Sequence, residues 1–141
     1  MKKVLVLSDR NEARSQMAEK WLKYYGKKYI EVWSAGLEKG SIHVMAQKAM
    51  AEAVMDIPEY KSKTISELNE LAFDFVLCFD KKLESSVPAI KGDPEILLFE
   101  LPDPSGVEEE DNVKQQAYNA VCNAVDDICF GFVQEKFQII S

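Results

Sequence analysis

Residues 4–19, VLVLSDRNEARSQMAE, constrain the fold more than any other stretch of the chain. Val4 to Leu7 is a short apolar run of the kind that forms a buried strand in a parallel sheet. The chain then turns, and from about Arg14 the apolar spacing becomes helical. Met17, Ala18, Trp21, Leu22 and Tyr25 share one face of that helix. A strand that runs through a tight loop into a helix N-terminus is a phosphate-binding architecture, because orphan backbone N–H groups and the positive end of the helix dipole converge there.

The remaining elements follow from the same periodicities. Gly26 reads as a C-cap, with Lys27 and Lys28 complementing the helix dipole. Tyr29 to Ser34, rich in aromatic and β-branched residues, reads as a second strand. Ile42, Met45, Ala46, Ala49, Met50, Ala53 and Val54 mark a second amphipathic helix, with the methionines as core. Thr64-Ile65-Ser66-Glu67 is a capping-box pattern for a short third helix. Phe73 to Phe79 is a third strand. Residues 80–92 are polar and irregular, and Ile96 to Leu101 is a fourth strand. After the Pro102-Asp103-Pro104 turn, Ser105 and Glu108 offer a second capping box, and Val113, Ala117, Val121, Ala124, Ile128 and Phe132 line a long last helix. Strands alternating with helices imply an α/β three-layer sandwich, with a four-stranded mostly parallel sheet and helices on both faces. With 141 residues, no repeats and no low-complexity linker, the expectation is a single domain over 1–141. Ligands in such sheets bind beyond the carboxyl ends of the strands, where the 8–15 loop and the Asp103 turn both lie.

Composition narrows the function. A net charge of −7 argues against nucleic acid, since no basic stripe would neutralise phosphates. No apolar span is long enough to cross a membrane, and the run after Lys2-Lys3 is too short for a signal peptide and lacks a cleavage site. Cys78, Cys122 and Cys129 form no C-x-x-C pair, so each reads as a small buried apolar residue in a chain of the reducing cytoplasm.

The 8–19 stretch resembles the low-molecular-weight protein tyrosine phosphatases and the thioredoxin-coupled arsenate reductases that share their fold. Those proteins open with such a strand, followed by a C-x5-R-S loop, and the reductase branch continues close to S-Q-M-A-E. Here the loop reads Ser8-Asp9-Arg10-Asn11-Glu12-Ala13-Arg14-Ser15 and continues Gln16-Met17-Ala18-Glu19, and Ser34-Ala35-Gly36 matches a small-residue motif of the family. The resemblance implies a cradle made by residues 8–15 for a phosphate-like anion, or for a phosphorylated small molecule or protein, with no cofactor. It further implies Arg14 as the clamp on equatorial oxygens, Ser15 as the hydroxyl beside the nucleophile, Asn11 as the loop-shaping amide and Asp103 as general acid.

Ser8 stands where the family has its nucleophilic cysteine. An aliphatic hydroxyl is a weak nucleophile unless a neighbouring base removes its proton, and no pattern ties the only histidine, His43, to Ser8. Arg10 replaces a glycine of the family, at a cost of roughly 1–2 kcal/mol if the loop keeps a positive φ there. Asp9 and Glu12 add carboxylates around a cradle meant for a dianion. The segment Ser85-Ser86-Val87-Pro88 lacks the resolving cysteines that arsenate reduction requires, and Asp103-Pro104 is followed by no tyrosine pair.

Several readings stay open on this evidence. In the leading one, a phosphatase-like chain binds an oxyanion or phosphorylated ligand without efficient catalysis. In the second it is a phosphomonoester hydrolase of residual or altered activity using Ser8, Arg14 and Asp103. A magnesium site on Asp9, Glu12 and Asp103 matches no metal motif. An interaction module with its partner surface elsewhere would leave Arg14 and Asp103 as an ordinary salt bridge between two loops, with Asn11 and Ser15 as caps.

Overall fold

The fold is taken from a computed structural model, which describes residues 1–9, 13–36, 44–52, 64–68, 70–80, 83, 90–101, 104 and 109–138. Four strands, β1 (Lys2–Leu7), β2 (Ile30–Ala35), β3 (Phe75–Cys78) and β4 (Glu95–Leu98), form one sheet in the order β2-β1-β3-β4. All three pairings are parallel; Leu7 lies opposite Ala35 on one side and Cys78 on the other, and Cys78 opposite Leu98. Parallel neighbours need crossover connections, and helices α1 (Arg14–Gly26) and α2 (Val44–Glu52) lie between the strands in sequence as that rule requires. The long helix α3 (Asp111–Phe137) follows β4.

Strand side chains alternate between two cores. Val4, Val6, Val32, Leu77 and Phe79 point to the face covered by α1 and α3, with Ala46, Ala49 and Met50 of α2 in the same cluster. Leu5, Leu7, Ala35, Val76 and Cys78 point the other way, against Phe73, Leu83 and the 3-10 turn Ile65–Leu68. The sheet is thus covered on both faces, as the sequence pattern implies, and every strand pair is parallel.

The glutamate arm of the expected capping box is present at the turn before Ile65: Glu67 accepts from the Thr64 amide at 2.7 Å and from the Thr64 hydroxyl at 3.1 Å, while its own amide donates to the Thr64 carbonyl at 3.1 Å. Other local expectations need correction. Gly26 keeps a helical φ of −82° and is the last residue of α1, while Lys27, at φ 50°, takes the C-cap. The glycine serves packing, since a Cβ there would lie 2.2 Å from Ile30 Cδ1. Helix α3 starts at Asp111, the acid of its first turn, with Glu110 as N-cap and no side-chain capping bond. Its buried seam is Tyr118, Val121, Cys122, Val125, Cys129, Phe132 and Val133; Val113, Ala117, Ala124 and Ile128, expected inside, are only half-buried. The seam turns because α3 packs on both α1 and α2: Cys129 Sγ lies 3.8 Å from the Ala18 carbonyl, and Cys122 Sγ lies 3.3 Å from Met50 Sδ. The three cysteines are buried free thiols. The Ser105–Glu108 capping box and His43 lie outside the described residues.

Candidate anion site at the carboxyl ends of the strands

β1 ends at Leu7, and its direction carries Ser8 beyond the carboxyl edge of the sheet. The Ser8 amide still donates to the Ala35 carbonyl of β2 at 3.1 Å, which fixes the start of the loop against the second strand. Helix α1 begins at Arg14 with Ala13 as N-cap; it has no side-chain capping bond and no acidic residue in its first turn. An acid there would compete for the positive end of the dipole, so this helix N-terminus suits an anion.

Two side chains of the loop meet directly. Ser8 and Ser15 share a hydrogen bond between their hydroxyl oxygens at 2.6 Å, and both residues are buried. Position 8 therefore faces another hydroxyl. Among the described residues no base contacts Ser8 Oγ.

Arg14 is 3% exposed and its guanidinium is held from three directions. Nη1 and Nη2 each donate to a carboxylate oxygen of Asp80 at 2.8 Å, a two-pronged pair in which the acid is itself 16% exposed. Nη1 also donates to the carbonyls of Phe79 at 3.2 Å and Leu101 at 3.0 Å. The same Asp80 carboxylate accepts the backbone N–H of Asp9 at 2.7 Å. One acid thus fixes both the arginine and the amide that follows Ser8. A planar guanidinium suits this role because its fork of donors matches a carboxylate and leaves its position fixed.

A second buried charged residue stands behind the loop. Glu19, one turn into α1 and 4% exposed, accepts from the Ser34 hydroxyl at 2.6 Å and from Lys23 Nζ at 3.0 Å. It ties the first helix to the end of β2 beside the 8–15 loop.

Of the residues singled out in the sequence, the structure therefore brings together Ser8, Asp9, Ala13, Arg14 and Ser15 at one edge of the sheet. Arg10, Asn11, Glu12 and Asp103 lie outside the described residues; of the Asp103 turn, Pro104 is described and buried. The carboxylate on Arg14 is Asp80, which sequence reasoning passed over. A signal was available, since Asp80 is the first acid after an apolar strand and sits at a strand's carboxyl end like the other candidates. Among the described residues no group of three metal-ligating side chains converges, and no helix is long and apolar enough to cross a membrane.

The family model for low molecular weight phosphotyrosine protein phosphatase matches residues 3–138, and the chain belongs to that family. It is similar to an arsenate reductase of Halalkalibacterium halodurans, at 33% identity over 85% of this chain and 86% of the relative. Among solved structures, an arsenate reductase in the phosphate binding state superposes with a TM-score of 0.76 at 28% identity, covering 96% of this chain and 98% of the other. The fold is also that of the YwlE arginine phosphatase, solved as a cysteine-to-serine mutant with a phosphorylated active-site serine, at a TM-score of 0.75 and 18% identity over 96% and 98% of the two chains.

Proposed function

We propose that this chain binds a phosphate-like oxyanion, free or as the phosphoryl group of a ligand, at residues 8–15 without efficient turnover. The observation that carries this reading is the contrast between positions 14 and 8. The arginine clamp is buried, charged and held in place by Asp80, whereas the nucleophile position is a serine whose hydroxyl meets the hydroxyl of Ser15. Binding needs donors and a fixed positive charge, which remain. Attack on phosphorus needs an anionic or base-activated nucleophile, and a serine facing a second hydroxyl is neither. The phosphate-bound state of a related reductase supports the ligand class. Thiol-based arsenate reduction is not part of the reading, because residue 8 has no sulfur to oxidise.

The test is hydrolysis of an aryl phosphate alongside titration with inorganic phosphate, for the native chain, Arg14→Ala and Ser8→Cys. The expected result is phosphate binding with background turnover in the native chain, loss of binding in Arg14→Ala, and acquired hydrolysis in Ser8→Cys. Robust native turnover that disappears in Arg14→Ala overturns the reading in favour of a phosphomonoesterase using Ser8, Arg14 and Asp103. The phosphorylated active-site serine of the YwlE mutant gives that alternative a concrete signature. Incubation with the aryl phosphate would then add one phosphoryl group to the native chain and none to Ser8→Ala.

A further inference from the structure

Away from the 8–15 loop, α1 and α3 pack side by side and share a continuous group of rings that runs from buried Trp21 through half-buried Tyr25 to the surface. Trp21 stacks on Tyr25 at 5.8 Å between centroids, and Tyr24 meets Tyr25 edge-on at 5.1 Å. Phe130 of α3 also meets Tyr25 edge-on at 5.4 Å. Tyr25 is anchored through its hydroxyl to Asp126, so the floor of the patch is fixed. Its outermost members are exposed, Tyr24 at 56% and Phe130 at 42%. Phe130 is followed by exposed Gly131, where an added Cβ would meet nothing within 4 Å. Large exposed aromatics beside a bare glycine make a flat surface that another surface can approach closely.

The flanks of this patch have opposite charge. Lys20, half-buried, lies one helical turn before Tyr24 on α1, and exposed Lys27 follows the helix at its C-cap. Asp127, exposed, lies one turn before Phe130 on α3, beside Asp126. An acidic membrane would meet the aspartates, and a partner of one sign would be repelled by one flank. A second copy of the same patch, turned by a two-fold axis, sets each lysine flank on the other copy's aspartates and stacks ring surface on ring surface. A patch with opposite flanks is self-complementary under that operation. We propose that this α1–α3 face is an isologous dimer interface between two copies of this chain.

The test uses light scattering and sedimentation of the full chain up to high micromolar concentration. The native chain is expected to reach twice its 16.0 kDa mass, and Phe130→Asp to remain monomeric. Two charge variants then probe the geometry, Lys20→Glu/Lys27→Glu on one flank and Asp127→Lys on the other, with Lys20 half-buried and Lys27 and Asp127 exposed. Each alone is expected to be monomeric, and an equimolar mixture of the two is expected to form a heterodimer, because both cross-interface pairings regain opposite signs. A native chain that stays monomeric overturns the proposal. So does a dimer that survives all three variants, or a mixture that fails to associate. Melting curves separate loss of association from loss of fold, and the charge variants carry the test if Phe130→Asp unfolds.

Discussion

Arg14 and Asp80, 66 residues apart in the chain, face each other through two hydrogen bonds of 2.8 Å. The pair joins the loop after β1 to the end of β3, and the Leu101 carbonyl brings in the segment after β4. A buried pair of this kind adds little net stability over an apolar pair, yet removing one partner leaves a buried charge uncompensated. Its value lies in fixing a cation at the carboxyl edge of the sheet.

Asp80→Ala is expected to destabilise the chain by about 3 kcal/mol, since Arg14 would remain buried without its carboxylate and the Asp9 amide would lose its acceptor. Phosphate affinity should fall as well, because the guanidinium would no longer be held in one orientation. Denaturant titration and phosphate titration of the same variant measure the two effects. Unchanged values for both would show that the pair does no more than an exposed one.

Ser34→Ala is expected to cost about 1.5–3 kcal/mol, the range for a hydrogen bond to a charged group, because Glu19 would lose its buried hydroxyl donor and retain Lys23. The same variant removes the tie between α1 and the end of β2, so thermal melting should register it without any ligand present.

Gly92 has φ +101°, and a Cβ there would stand 2.5 Å from the Phe73 carbonyl oxygen and 2.6 Å from the Phe73 nitrogen. Both obstacles are backbone and cannot rotate away. Gly92→Ala should therefore cost more than the roughly 1–2 kcal/mol of the left-handed conformation alone. Comparison of denaturation midpoints checks it.

Alkaline pH should destabilise the folded chain in two places. Burial, with the hydrogen bond to Asp126 adding to it, pushes the Tyr25 phenol above its ordinary 10.0, and burial pushes the Cys129 thiol well above 9.0. Each group keeps its proton in the folded chain after the unfolded chain has released it. Their contribution is therefore complete below those ordinary values and declines as pH rises past about 9 for the thiol and 10 for the phenol. Tyr25→Phe and Cys129→Ala should each flatten the fall in stability over that range, measured by denaturant unfolding across pH.

The first strand and the helix starting at Arg14 were legible in the sequence because each is local: an apolar run and a periodic face. The parallel sheet followed from alternation of elements. What could not be read was set by packing between distant segments. Arg14 takes its carboxylate from Asp80, a choice made by the register of β1 against β3. The seam of α3 runs through Tyr118, Cys122, Val125 and Cys129 because two helices and the sheet share that helix, and apolar residues on neighbouring faces gave periodicity no single answer. Gly26 has the sequence context of a cap and is a contact surface for Ile30.

Strand β4 is one of the two edges of the sheet, and three of its four residues are exposed, including Ile96 and Leu98 at 45% each. Such a strand opens more readily than the central β1, so its amides should exchange with deuterium first among the four strands. Just beyond it, the Leu101 carbonyl holds the Arg14 guanidinium. An anion bound to Arg14 would add to that tie and slow exchange along β4. Occupancy of the loop would be written into the breathing of an edge strand two places from β1.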